Sequence, residues 1–324
     1  MIEDFDFFVS EICEGPLASY PLGSCAFIYG NFEERSNHFS TQDRAFSKVS
    51  FFEVIEEVNE TLNISGVTSF PKSNIGAMRN FILGIEKDRI FLDVTGLCHS
   101  VWAPLLKVSL SLRKKISIIY VEPKDYKKSD NPAAGLLYDL SEKTRGIAPI
   151  PGFASFSGDD DERYIFAAFV GFEGPRLFHA LEQLEPERDT VFPIIGVPGY
   201  KPEYPFYSFE GNVIPLMHSK YQAWKNIRYA SASCPFSAYR CLVELLKEFP
   251  QRKIKVGLFG TKPHALGAIL FRLNYPDIVE LIYDHPVRKI KRTSGAMIKH
   301  IFDISDFMEN LPAYQETLTR GRLR

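Results

Sequence analysis

Short apolar runs alternating with segments of helical period restrict the fold of this chain more than any other feature of its sequence. "CAFIY" (25–29), "RIFLDVT" (89–95) and "ISIIYVE" (116–122) are too brief for buried helices and read as strands. The second half repeats the pattern with "RYIFAAFVG", "TVFPIIGV", "KIKVGLF" and "DIVELIYD" as strands. Between them, "PRLFHALEQL", "CPFSAYRCLVELLKEF" with Ser233 as its cap, and "PHALGAILFRL" carry apolar residues at helical spacing. Strands separated by helices of this length are the signature of βαβ units, so the expected fold is α/β, a doubly wound and mostly parallel sheet.

In the first half the spacing predicts a helix over "SFFEVIEEVNETLN", with Ser50 and Glu53 at capping-box separation and Phe51, Val54, Ile55, Val58 and Leu62 on one face. A second helix is expected from about Ser100 to Arg113. Proline and glycine concentrate in "GIAPIPGFASFSGDDDER", which places a domain boundary near residues 146–163, and in "GVPGYKPEYPFYSFEGN", read as a connecting loop. The expected domains are residues 1–150 and 151–324, two tandem Rossmann-like halves that could also pack as one continuous domain.

An internal echo supports the division. "FLDVTGLCHSVWAPLLKVSLSLRKKISIIYVEP" and "VGLFGTKPHALGAILFRLNYPDIVELIYDHP" share one plan: strand, glycine, histidine at a helix start, proline in the first helical turn, and a strand ending Tyr-x-x-Pro. The pairs are Gly96 with Gly260, His99 with His264, Tyr120 with Tyr283 and Pro123 with Pro286. An earlier pair, "IYGNFEER" and "VGFEGPR", sets Phe32, Glu33 and Arg35 against Phe172, Glu173 and Arg176. Similar glycines and prolines suit any βαβ turn, and that remains the alternative explanation.

Composition narrows the function classes. A formal net charge of -2 provides no global field to gather nucleic acid or anionic membrane, so a basic site has to be local. The five cysteines form no CxxC pair, which leaves neither a disulfide framework nor a zinc ribbon. The seven histidines make neither HxH nor HExxH, no metal site is expected, and no motif calls for a cofactor. An acidic N-terminus without a basic leader, and no apolar run near the ~20 residues of a membrane helix, lead to the expectation of a cytoplasmic protein without a membrane partner.

In an open parallel sheet, ligands sit beyond the carboxyl ends of the strands. There "GTKPH" offers Gly260 for close backbone approach, Thr261 as cap or anion donor, Lys262 as a point charge and His264 as donor or proton carrier. It is not a Walker A loop, and a capped helix with a solvated lysine is the plain alternative. Glu33 with Arg35, and Glu173 with Arg176, could hold a sugar hydroxyl and a phosphate, or form ordinary ion pairs. Arg288, Lys289, Lys291 and Arg292 follow the last strand and could meet a ligand phosphate or a nucleic-acid backbone. Tyr204, Phe206, Tyr207 and Phe209 could stack a base or simply fill the core. Asp93, His99 and His264 are the candidates for acid-base chemistry.

"DVTGLCHS" followed by "IIYVEP" resembles the ligand-binding turn of CARF-type Rossmann domains, which sense oligoadenylates in prokaryotic antiviral systems. The resemblance implies that Thr95 and Gly96 touch ligand backbone or phosphate. It covers about 35 residues, and Leu97 and Cys98 stand where the family has its second glycine and a following threonine or lysine. "FEERS", "YVEPKDY", "GFEGPR" and "GTKPHALGA" are similar to segments of proteins from bacterial defence islands. The function expected is therefore nucleotide or phosphate-ligand binding in a sensor or accessory subunit with a protein partner. An enzyme acting on a nucleotide or nucleic acid is the first alternative, and a structural subunit of a larger complex the second.

Overall fold

The computed structural model describes residues 11–12, 24–36, 49–56, 60–133, 136–154 and 163–319. The acidic run at 159–161 and the basic end at 320–324 lie outside the described residues. The chain is a mixed α/β protein of two compact units, Met1–Asp125 with Thr293–Arg324, and Tyr126–Arg292. The divisions fall at residues 125 and 292, whereas the proline and glycine content pointed to 146–163.

The first unit begins with β1 (Glu11–Ile12), β2 (Cys25–Tyr29), β3 (Val49–Glu56), β4 (Thr61–Ile64) and β5 (Thr68–Pro71). It continues through α1 (Ile75–Leu83), β6 (Arg89–Asp93), α2 (His99–Ser111) and β7 (Lys115–Tyr126). The second unit holds β8 (Lys128–Ala133), β9 (Leu136–Tyr138), β10 (Ser141–Thr144), β11 (Tyr164–Phe169), α3 (Gly174–Leu184) and β12 (Val191–Gly196). Next come α4 (Tyr204–Gly211), α5 (Val213–Met217), β13 (Arg228–Ala230), α6 (Pro235–Glu248), β14 (Lys253–Leu258), α7 (Lys262–Asn274), β15 (Val279–Ile282) and β16 (Pro286–Arg288). The chain then returns to the first unit with β17 (Thr293–Asp303), α8 (Ile304–Glu309) and α9 (Pro312–Thr319).

The first unit is built on one eight-stranded sheet in the order β1-β17-β7-β6-β2-β3-β4-β5. Its middle, β7-β6-β2-β3, is parallel, and β3-β4-β5 is antiparallel. Because β17 takes its place beside β7, residues after 292 belong with the first 125.

The helix expected at residues 50–63 is absent: that stretch forms β3 and β4. Phe51 and Phe52 explain why. On a strand they point to opposite faces, and each finds a ring: Phe51 stacks on Phe27 of β2 at 5.3 Å, and Phe52 meets Phe81 of α1 edge-on at 5.3 Å. The turn into β5 uses Ser65 and Gly66, both at positive φ, with Val67 N-H donating to Ile64 O at 2.7 Å. The stretch read as a loop at 204–211 is also corrected, since it forms α4. Cys234, not Ser233, is the N-cap of α6, and Pro104 lies in the second turn of α2 rather than the first.

The second unit carries a five-stranded parallel sheet in the order β13-β12-β11-β14-β15. Numbered by succession, that is 3-2-1-4-5. Phe166, Ala168 and Val170 on β11 and just beyond it, Leu177 and Leu181 on α3, and Ile195 on β12 form one buried cluster. The small strands β10 and β16 pair with each other, as do β8 and β9.

Candidate functional site

The order 3-2-1-4-5 has one point where successive connections leave in opposite directions, between β11 and β14. Beyond the carboxyl ends of two such strands the loops part, and a crevice opens. A pocket lies there, wholly within the second unit. Its border includes Gly171 and Phe172 after β11, Gly196 at the end of β12 and Gly199 after it, Ala232 after β13, and Phe259, Gly260 and Thr261 after β14.

The loops are held by polar groups from neighbouring elements. Gly171 O accepts from Asn212 Nδ2 at 2.7 Å and Ser208 Oγ at 3.0 Å. Thr261 caps α7, its Oγ1 accepting from His264 N-H at 3.3 Å and donating to Ala232 O at 2.6 Å. Thr261 thereby ties the β14 turn to the β13 turn.

Glu173 and Arg176 border the pocket but are occupied. Glu173 accepts from the backbone N-H groups of Leu140 and Ser141 and from Ser141 Oγ, each at 2.9 Å. Arg176 donates through Nε and Nη2 to both carboxylate oxygens of buried Asp284, at 2.8 and 2.6 Å, and stands 3.6 Å from Glu173. Burial alone would pull the Arg176 pKa down. The hydrogen bonds and charge of Asp284 outweigh burial and raise it, so the guanidinium stays charged. The sequence offered Glu173 and Arg176 as a ligand pair; the geometry gives each a structural partner, of which Asp284 was not foreseen.

His264 differs. It sits in the first turn of α7, 1% exposed, with its ring 4.9 Å from that of Phe169. Nε2 lies 3.3 Å from Ala230 O, and buried Nδ1 has no hydrogen-bond partner. Burial lowers its pKa to about 4, against weaker backbone hydrogen bonds that raise it. Burial thus favours the neutral imidazole over the imidazolium that a general acid would need.

The walls are aromatic. Phe172, Tyr204 and Tyr126 border the pocket and pack edge-on, with Phe172 to Tyr204 at 5.2 Å and Tyr126 to Phe172 at 5.4 Å. Of the aromatics singled out in the sequence, Tyr204 borders the pocket, Phe209 packs against the core, and Phe206 is exposed. Helices α3, α4, α6 and α7 each carry proline at the first or second position. Proline has no N-H, so each of these helix ends has one fewer donor for an anion. Lys262 opens α7 and is buried, while Arg288 lies on β16 opposite Ser141. Lys289 is paired with Asp139, and Arg292 borders the pocket.

The remaining candidates lie in the first unit. Asp93 is fully buried and accepts from Thr95 N-H at 2.8 Å, and Thr95 Oγ1 accepts from Val121 N-H at 3.0 Å. Glu33 accepts from Thr293 Oγ1 at 2.7 Å, and Arg35 donates to Val121 O. A Cβ at Gly96 would overlap the Gly30 carbonyl, so the turns after β2 and β6 touch. His99 packs its ring against Trp102 at 5.4 Å. These side chains hold the first unit's own loops.

The pocket encloses about 100 Å³. Pockets that engulf a whole small molecule run to about 300–1,000 Å³. This one has room for a single ring or a single small group. Among the described residues no group of histidine, cysteine, aspartate and glutamate could hold a metal ion, and no helix is long and apolar enough to cross a membrane. Comparison of the sequence with protein-family models and with curated proteins finds no match.

Proposed function

We propose that the second unit is a nucleotide-binding module that takes one ring of its ligand into the pocket beyond β11 and β14. The observation that carries this reading is the pocket at the point where the strand order reverses, walled by Phe172, Tyr204 and Phe259 and bordered by buried His264. Its volume and the prolines at the surrounding helix starts favour a ring over a phosphate cluster. The rest of the ligand lies outside the pocket, near Arg292.

The two units are best read as related Rossmann-like halves, the second inserted into the first. The neighbours β3-β2-β6-β7 have the same succession as β12-β11-β14-β15, so Gly96 and Gly260 follow corresponding strands. This supports the internal echo, and with the resemblance to oligoadenylate sensors read from the sequence it favours a sensor or accessory subunit. Ile214, Met217 and Trp224, exposed on α5 and just after it, suit a protein partner. The enzyme alternative has less support, because burial favours the neutral form of His264 and Glu173 is bound to backbone.

A thermal-shift panel of nucleosides, mononucleotides and linear and cyclic oligoadenylates tests the reading. A ligand at 100 times its dissociation constant adds about 2.7 kcal/mol of stability, and Phe172→Ala should remove that gain. If no member of the panel stabilises the protein, nucleotide binding is refuted.

A further inference from the structure

We infer that His264 Nδ1 is the acceptor that selects the ligand: it receives a hydrogen bond from the exocyclic amino group of a purine base in the pocket. This deepens the proposed function and rests on it.

The tautomer is fixed by a neighbour. Ala230 O can only accept, so Nε2, 3.3 Å away, carries the proton. Nδ1 is left with a lone pair and no partner, which is costly for a buried polar atom.

What covers that edge of the ring is glycine. A Cβ at Gly260 would stand 2.8 Å from Nδ1, and one at Gly196 3.4 Å from Cε1; both glycines border the pocket. Neither residue carries a side chain to fill those positions, and His264 itself borders the pocket.

The neighbouring polar groups are already engaged. Glu173 holds the Leu140 and Ser141 amides, Arg176 holds Asp284, Thr261 bridges His264 N-H and Ala232 O, and Ser208 donates to Gly171 O. A phosphate brings more acceptors and would leave Nδ1 unmatched. A base with an N-H on the edge it presents would satisfy Nδ1 and stack on the aromatic walls.

The test compares matched nucleosides on the full chain by calorimetry: adenosine against purine riboside, which lacks the 6-amino group, and guanosine against inosine, which lacks the 2-amino group. In the pair that binds, the member with the amino group should bind about tenfold tighter or more. His264→Phe keeps a ring against Phe169 and should abolish that difference. Equal affinities within both pairs on the unaltered protein overturn the role of His264 while nucleotide binding stands, and need no variant to fold. A difference that persists in His264→Phe also overturns it. If no nucleoside or nucleotide binds, the nucleotide reading itself fails.

Discussion

Replacing Arg176 by methionine separates a structural role from a ligand-binding one. The guanidinium makes two hydrogen bonds to Asp284, whose side chain is 1% exposed, and its carbon lies 5.5 Å from the Phe259 ring centroid. Methionine keeps much of the apolar stem but leaves the Asp284 carboxylate buried and unpaired. Removing one partner of a buried ion pair costs about 3–5 kcal/mol. We expect a loss near the lower bound, about 3 kcal/mol, because the methionine side chain fills part of the space. With a urea slope of roughly 2 kcal/mol per molar, the unfolding midpoint should fall by about 1.5 M. The two tryptophans allow the measurement: Trp102 lies in the first unit and Trp224, half-exposed, in the second. Comparison with a Trp224→Phe background identifies the second unit's transition. The double variant Arg176→Met with Asp284→Leu removes both charges and should recover most of the loss. A cost below about 1 kcal/mol, or a double variant no more stable than the single, would refute the structural assignment and return Arg176 to the ligand.

Three further outcomes follow from the geometry. Gly96→Ala drives a Cβ into the Gly30 carbonyl; the first unit should lose about 3 kcal/mol, read in the Trp102 transition. Thr261→Ala removes the cap of α7 and the bond to Ala232; it should cost about 1–2 kcal/mol in thermal melts, with Thr261→Ser largely neutral. Acid should weaken the protein through His264. Its pKa is near 6.5 when unfolded and about 4 when folded, so between those values the unfolded state binds the extra proton. Stability then falls as pH drops from about 6.5 to 4, by on the order of 3 kcal/mol. His264→Phe should flatten that part of the pH-stability curve, and an unchanged slope would contradict the assignment.

Much of the sheet was legible in the sequence because its strands are dense apolar runs. "YIFAAF" and "KIKVGL" form β11 and β14 and are mostly buried, and helices α6 and α7 stand where their apolar spacing put them. The failure at residues 50–63 has a local cause. Phe51, Val54, Ile55, Val58 and Leu62 fit one helical face, and the two-sided packing of Phe51 and Phe52 appears only once β2 and α1 supply rings. The Ser65-Gly66 pair between "TLNI" and "TSFP" was the available signal for a hairpin.

The candidate site was legible by type more than by role. Position after a strand singled out Gly260, Thr261, His264, Glu173 and Arg176, and all five border one pocket. The sequence by itself determined that there would be turns with glycine, a cap and a histidine at strand ends, because local propensities act over a few residues. Only the tertiary structure decided which of them are spent on the fold. Asp284 is 108 residues from Arg176, and Ala230 is 34 from His264. Those partners neutralise one candidate and fix the tautomer of the other. Whether a polar side chain is satisfied by the protein or left for a ligand depends on groups distant in sequence, and no local pattern encodes them.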